Sequence, residues 1–330
     1  MSKLFGAALI AVFVAVGVFQ SSGAFAGQGI EITVSTALPP KTPVVLGLEN
    51  LAKELNATGQ FNATVYASAQ LGSIVDMLDR CLDGDAVIAT CDAADIADIT
   101  FKDLSIIHAP FLFDSWEQIA AVMNSDWYQD VWGKVKDRGI VILGNNWIGG
   151  DRHYITRKPV TNLADLEGMK IRTPASIYFV KSQEVLGATP TPMAFGDVFT
   201  AMQQGVIDGA ENPLADIYHS KIHEAGKYIV EESHMLQLSV IVTGTEFFDS
   251  LTKEQQDLLM QLVHESGEYE QTQFFKTNAE MKQLLEAEGV VFNHIDRTSF
   301  IKKAEKYYDL PDFKEWTPGL HQRILDILGK

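Results

Sequence analysis

Hydrophobic positions in the first third of the chain alternate between the spacing of strands and the spacing of helices. Residues 31–34 have a strand pattern, and residues 42–55 then place Val45, Leu48 and Leu51 on one face of a helix. The same order continues with a strand, a helix and a strand at residues 61–67, 73–82 and 86–91. This βαβαβ order predicts a parallel sheet.

The middle of the chain repeats this order after a predicted joint. A helix over residues 115–138 precedes a strand over 141–143, and Ile148-Gly149-Gly150 has the composition of a flexible joint. Strands and helices then alternate over residues 153–156, 169–172, 176–186, around Thr189, 196–204 and 207–210. We therefore expect two α/β units, each with its own core.

The last third of the chain is predicted to be mostly helical. Residues 252–287 are compatible with one long helix, because Thr252 and Gln255 have the spacing of a capping box. A helix of that length can bridge two lobes. A strand over residues 290–292 and helices near Ile301 and over residues 313–328 complete the prediction.

The N-terminus has the composition of a secretory signal peptide. Lys3 precedes an apolar run over residues 4–19, and Ala24-Phe25-Ala26 supplies a small-residue cleavage site. The apolar run is shorter than the roughly 20 residues of a spanning helix. We predict a signal peptide over residues 1–26 and an exported, periplasmic mature chain; an uncleaved anchor is the alternative.

Composition and charge limit the classes of partner. The chain has 330 residues, 46% of them hydrophobic, and a net charge of −17. Such a chain can bury full cores, and its acidic surface repels nucleic acid and anionic lipid. A site for an anion must therefore be a local group of arginines inside a cleft.

The two cysteines, Cys81 and Cys91, could form a disulfide in an oxidising compartment. One is predicted on a helix and the other at the far end of the next strand, which holds their Cα atoms beyond the limit of about 7 Å for a disulfide. We expect two buried free thiols.

Sequence motifs of catalysis and of cofactor binding are absent. There is no Walker loop, no Gly-x-Gly-x-x-Gly after a strand and no Gly-x-Ser-x-Gly elbow. His219 and His223 could share a helix face, but Ser220 stands where a metalloprotease has glutamate. We therefore predict no metal, no cofactor and no enzymatic activity.

Arginine and asparagine side chains are the best candidates for binding a ligand. Arg172 ends a predicted strand, where α/β sheets form their ligand crevice, and its guanidinium matches a carboxylate; a structural salt bridge is the alternative. Arg152 follows the joint and is either a second ligand contact or a solvated hinge residue. Asn212, held by Pro213, is either a ligand contact or a plain turn residue.

Several segments together resemble the extracytoplasmic solute receptors of TRAP transporters, the dicarboxylate-binding family. The main match is residues 170–213, KIRTPASIYFVKSQEVLGATPTPMAFGDVFTAMQQGVIDGAENP. Further matches are Gln70-Leu71-Gly72 and residues 109–113 and 162–168. The resemblance spans nearly the whole predicted mature chain.

This resemblance implies a two-lobed α/β periplasmic binding protein of the class II type, which closes on its ligand. We expect lobe I to comprise residues 27–149 and 238–277, and lobe II residues 150–237 and 278–330. In the family pattern, Arg172 clamps the ligand carboxylate, Arg152 and Asn212 assist, and Phe195 covers the ligand.

The resemblance also places Asp92 against the ligand from lobe I, although Asp92 could simply cap a helix. Ala175 and Asp95 stand where sialic-acid-type receptors have polar or basic contacts, which puts that ligand in doubt. Trp147 is expected to form an apolar wall.

The function implied is a monomeric receptor that delivers a small organic carboxylate to a TRAP permease. A hydroxy or keto acid, a sugar acid and a C4-dicarboxylate all fit this prediction. A receptor that signals to a membrane kinase is the alternative among binding proteins. A secreted hydrolase or lyase using Asp92 is the alternative among enzymes, and no nucleophile with an obvious base supports it.

Overall fold

The computed structural model describes residues 29–330, so the predicted signal peptide lies outside the described residues. This part of the chain folds around a mixed sheet of nine strands. The strands are β1 (Ile30–Ser35), β2 (Phe61–Tyr66), β3 (Val87–Asp92), β4 (Ile140–Thr156), β5 (Lys170–Thr173), β6 (Thr189–Pro192), β7 (Gly209–Pro213), β8 (Tyr228–Gly244) and β9 (Val291–His294). Their order is β2-β1-β3-β8-β4-β7-β5-β6, and β9 pairs with β8.

Helices cover the sheet. They are α1 (Pro43–Ala57), α2 (Ile74–Leu82), α3 (Ala93–Ile99), α4 (Trp116–Met123), α5 (Asp126–Lys136), α6 (Ile177–Leu186), α7 (Val198–Gln203), α8 (Leu214–His219), α9 (Ile222–Ala225), α10 (Thr245–Ser250), α11 (Lys253–Ala287), α12 (Thr298–Ala304) and α13 (Leu320–Leu328). Within residues 29–330, none of them combines the length and apolarity needed to cross a bilayer.

Parallel pairing occurs in both halves of the sheet. Strand β1 pairs in parallel with β2 and β3, and β5 pairs in parallel with β6 and β7. The α/β class expected from the alternating pattern is therefore confirmed. In each half, the carboxyl ends of the parallel strands face the region beside the middle strands of the sheet. Proteins of the α/β class bind ligands at such carboxyl ends.

Two long antiparallel strands, β4 and β8, join the halves, and they correct the predicted joint at Gly149-Gly150. Both glycines lie inside β4, a strand of 17 residues. Gly150 has φ of +125°, and the pairing register with β8 shifts between Ile148 and Gly150. The irregular backbone at Gly150 forms a β-bulge, and β4 and β8 stay paired on both sides of it.

The helix predicted over residues 115–138 is in fact two helices, α4 and α5. Ser125 begins the second one, because its side chain accepts a hydrogen bond from the backbone N–H of Tyr128. A serine in this position satisfies a free N–H group of the first turn and favours a new start. The helix predicted over residues 313–328 likewise shortens to α13, which follows Gly319 at φ +80°.

The long helix predicted over residues 252–287 is confirmed as α11. Thr252 accepts a hydrogen bond from the N–H of Gln255, whose side chain accepts one from the N–H of Thr252, which is the predicted capping box. Phe274 and Leu285 are buried on its inner face. The helix therefore packs along both halves of the sheet, as a bridge must.

The C-terminal residues contact the first half of the chain. The indole N–H of Trp316 donates to Oγ of Ser105 at 2.9 Å, and the N–H of Thr317 donates to Asp103 at 2.8 Å. Residues that we assigned to lobe II thus also pack on lobe I, and the lobe boundaries themselves stay a prediction.

Candidate functional site

A cleft of about 200 Å³ lies where the two halves of the sheet meet. Its walls come from the carboxyl ends of β1, β2 and β3 on one side and of β5, β6 and β7 on the other, with β4 and β8 between them. The lining residues with polar side chains are Thr36, Ser73, Thr90, Asp92, Asp95, Arg152, Arg172, Asn212, Asp216, Gln237 and Ser239.

Arg172, at the end of β5, has no acidic partner among the described residues. Its Nε and Nη2 donate to the backbone oxygen of Met193 at 3.0 and 2.9 Å, which fixes the guanidinium and leaves Nη1 for a ligand. The side chain is buried, and burial together with the charge of Arg152 lowers the pKa of Arg172 to about 10. It still carries its charge at neutral pH, so a carboxylate would be bound strongly.

Asn212 and Phe195 line the cleft together with Arg172. The buried side chain of Asn212 forms no hydrogen bond with any other described residue, although buried amides are normally paired. The ring of Phe195 lies 5.6 Å from the Arg172 guanidinium carbon, within the range of a cation–π contact. The structure therefore places Arg172, Asn212 and Phe195 in the same cleft, and their contact with a ligand stays a prediction.

Arg152 also lines the cleft, but its charge is already balanced. It forms a buried ion pair with Glu211 and donates through Nη1 to Oε1 of Gln237 at 2.7 Å. Burial would raise the pKa of Glu211, but Arg152 and His234 lower it to about 2. The solvated-hinge alternative is wrong, since Arg152 is 1% exposed.

Asp92 both begins α3 and lines the cleft, and its contact with a ligand stays a prediction. Its backbone N–H donates to Oδ2 of Asp95 at 2.9 Å, while its Oδ1 accepts from Nε2 of Gln237 at 2.6 Å. Burial opposes ionisation, yet His108 and Arg152 hold the pKa of Asp92 below its ordinary value. Asp92 is therefore an ionised acceptor.

Two further carboxyl groups in the cleft have raised pKa values. Burial, and then the charge of Asp92, raise the pKa of Asp95 to about 8. Burial raises that of Asp216 to about 7, against the opposing charge of Arg152. Both groups keep a proton over part of the neutral range and can donate a hydrogen bond as well as accept one.

Trp147 does not line the cleft, which corrects the expected apolar wall. Its indole is fully buried in the core beneath α11, and its Nε1 donates to the oxygen of Val263 at 3.2 Å. The atoms of its ring lie close to Gly47 on α1. The strand β4 turns this side chain to the helix-covered face, where a large apolar ring is more stable than in the cleft.

Other candidate residues have structural contacts. Nδ1 of His223 lies 3.3 Å from the oxygen of Ile217, and within residues 29–330 no group of three potential metal ligands includes it or His219. Cys81 and Cys91 are buried and unbridged, and each thiol faces a backbone oxygen.

Sequence reasoning missed Glu211, Asp216 and Gln237, and also the small polar residues of the lining, which are Thr36, Ser73, Thr90 and Ser239. Glu211 directly precedes Asn212 and could have been considered as the partner of an arginine. Gln237 lies on β8, a strand for which we made no prediction, so no local signal marked it. Its role depends on pairing with distant strands.

Comparison with known proteins relates this chain to solute-binding proteins. Residues 34–314 match the family described as bacterial extracellular solute-binding protein, family 7. A solute-binding protein of Roseobacter denitrificans is 28% identical over 300 residues, which cover 88% of this chain and 89% of the relative.

Solved structures show the same architecture. A TRAP periplasmic solute-binding protein of Ochrobacterium anthropi with bound L-fuconate is 33% identical, with a TM-score of 0.86, and covers 91% of this chain and 99% of its own. One of Actinobacillus succinogenes with bound L-galactonate is 30% identical, with a TM-score of 0.87 and the same coverage. The expected two-lobed binding-protein fold is confirmed.

Proposed function

Because the chain belongs to the family 7 bacterial extracellular solute-binding proteins, we propose that it is a periplasmic receptor that binds a small organic carboxylate and delivers it to a TRAP permease. The main support is Arg172, a buried cation in the cleft without an acidic partner among residues 29–330. A buried charge without a counterion is costly, and a ligand carboxylate would remove that cost.

The remaining cleft residues have complementary roles in this proposal. Asn212 donates a hydrogen bond to the same carboxylate, and Phe195 covers the ligand. Arg152, held by Glu211, orients Gln237. Asp92 contacts the other end of the ligand.

Substitution of Arg172 tests the carboxylate site. We expect Arg172→Ala to abolish the thermal stabilisation that L-fuconate or L-galactonate produces, because the main counterion is lost. For wild type, ligand at 100 times Kd should contribute about 2.7 kcal/mol to the free energy of unfolding. Arg172→Lys keeps the charge without the planar fork and should retain a smaller shift.

The matched control is Arg323→Ala, which removes an exposed arginine outside the cleft. This variant should keep the wild-type shift. An undiminished shift in Arg172→Ala would overturn the assignment of the carboxylate site. Mass spectrometry of the small molecule that copurifies with the wild-type protein identifies the native ligand independently.

Delivery and the lack of catalysis need separate measurements. Uptake of radiolabelled ligand into vesicles that contain the cognate membrane subunits should depend on the receptor, and a receptor that signals only to a kinase would give no uptake. A bound sugar acid should be recovered unchanged after long incubation, and appearance of a product would favour the hydrolase or lyase alternative.

A further inference from the structure

The charges in the cleft are distributed unevenly between its two sides. Arg172 comes from β5, while Asp92 and Asp95 come from β3 and α3. Strands β3 and β5 lie on opposite sides of the β8–β4 pair in the sheet. A ligand held by Arg172 therefore extends its other end toward carboxyl groups.

The acceptor atoms on that side are free to contact a ligand. Within the described chain, Oδ1 of Asp92 accepts from Gln237, and no hydrogen bond reaches its Oδ2. Oδ2 of Asp95 accepts from the N–H of Asp92, which leaves Oδ1. Asp216 lies on α8, after β7 on the same side as Arg172; its carboxyl oxygens also have no hydrogen-bond donor among residues 29–330, and its side chain is 4% exposed.

These carboxyl groups favour hydroxyl groups of a ligand over a second carboxylate. A hydroxyl can donate to an ionised Asp92 and can both donate to and accept from a protonated carboxyl group. A carboxylate can only accept, and it would meet the negative charge of Asp92 in a cleft with little water to screen it. Arg152 offers a second carboxylate little compensation, because its charge is already paired with that of Glu211.

Resting on the carboxylate site of the proposed function, we propose that the cleft selects sugar acids with one carboxylate and a polyhydroxylated opposite end, and rejects dicarboxylates. Arg172 binds the carboxylate, and Asp92, Asp95 and Asp216 bind the hydroxyl groups. This class of sugar acids includes L-fuconate and L-galactonate, which the two structural relatives bind. In this chain, we attribute the selectivity to the acidic residues of the cleft.

Three ligands with the same carbon chain and the same hydroxyl configuration test this selectivity by calorimetric titration. L-Galactonate has one carboxylate, galactarate has one at each end, and galactitol has none. We expect galactarate to bind at least about tenfold more weakly than L-galactonate, and galactitol to show no binding at the same concentrations.

The outcomes separate the two proposals. Galactarate that binds as tightly as L-galactonate would overturn the selectivity but leave the carboxylate receptor intact. Galactitol that binds as tightly as L-galactonate would instead overturn the carboxylate receptor. If neither L-galactonate nor L-fuconate binds, while a C4-dicarboxylate does, the sugar-acid class is wrong.

Substitution of Asp92 tests whether the acidic side causes the discrimination. Asp92→Asn keeps the shape and an acceptor oxygen but removes the negative charge, and should reduce the preference for L-galactonate over galactarate by about tenfold. Asp79→Asn removes an exposed carboxylate of α2 outside the cleft and should leave the preference unchanged. Asp92→Ser is the second cleft variant if Asp92→Asn does not fold. An unchanged preference in the folded cleft variant would exclude charge repulsion as the cause.

Discussion

At the scale of single residues, the ligand site depends on which polar groups the protein itself leaves without partners. Two nitrogens of Arg172 share one backbone oxygen, that of Met193, and this fixes the side chain without neutralising it. Arg152 differs, because Glu211 lies against it and neutralises its charge. Two arginines of the same cleft thus have different roles, decided by a single acidic neighbour.

Asn212→Ala should weaken ligand binding with little loss of stability. The amide has no hydrogen-bond partner among the described residues, so its removal breaks no internal contact. A hydrogen bond to a charged group contributes about 1.5–3 kcal/mol, which corresponds to roughly 10- to 100-fold in Kd. Calorimetric titration of L-galactonate and thermal unfolding of the free protein measure the two effects.

The matched control is Gln183→Ala, which removes another buried amide. Oε1 of Gln183 accepts from the hydroxyl of Tyr154 at 2.6 Å, and the residue does not line the cleft. Its loss should reduce stability by about 1–3 kcal/mol and leave Kd unchanged. An Asn212 variant that unfolds early but binds normally would show a structural role for that amide.

At the scale of elements, β4, β8 and α11 connect the two halves of the protein. Each strand of the antiparallel pair has 17 residues, and α11 has 35. Glu270 of α11 accepts a hydrogen bond from the backbone N–H of Ile148 in β4 at 2.9 Å. This contact attaches the bridging helix next to the bulge at Gly150.

Glu270→Gln should make the protein more stable at alkaline pH. Burial raises the pKa of Glu270 from 4.5 to about 8, so between these values the folded state holds a proton that the unfolded state has lost. Stability of the wild type therefore falls as pH rises through this range, by about 1.4 kcal/mol for each unit of pKa difference. Glutamine keeps an acceptor oxygen and does not titrate.

Denaturant unfolding at a series of pH values tests this prediction. The difference between Glu270→Gln and wild type should be smallest near pH 4 and should favour the variant above pH 8. Glu268→Gln, an exposed substitution on the same helix, should show no such trend. Parallel stability curves for the Glu270 variant and wild type would contradict the assigned proton.

At the scale of the whole molecule, the described structure has a closed cleft. Arg152 is 1% exposed, and Arg172 and Asn212 are each 4% exposed. Gln237 joins the two sides, because it accepts from Arg152 and donates to Asp92. Groups so deeply buried are poorly accessible to a ligand, so we expect exchange of ligand to involve movement of the lobes apart.

Ligand binding should therefore make the protein more compact in solution. We expect the radius of gyration from small-angle X-ray scattering to fall when saturating L-galactonate is added, because the ligand shifts the population toward the closed state. Arg172→Ala should show no such fall. A wild-type radius that stays constant at saturation would mean that the cleft does not close on its ligand.

Local patterns in the sequence were sufficient to predict most elements and several residues that line the cleft. Apolar spacing predicted β1 and α1, since such spacing records which face of an element is buried, and the capping box at Thr252 predicted the start of α11. Arg172, Asn212 and Phe195 belong to one continuous segment, so the resemblance within that segment predicted all three as ligand contacts, and all three line the cleft.

Tertiary structure alone decided the parts that depend on pairing between distant residues. The continuity of β4 through Gly149 and Gly150 requires β8 beside it, and the burial of Trp147 requires α11 above it. The acidic side of the cleft likewise results from β3 and β8 lying next to each other, which places Gln237 against Asp92. Strand pairing and burial depend on contacts far apart in the chain, and a local pattern of residues carries no record of them.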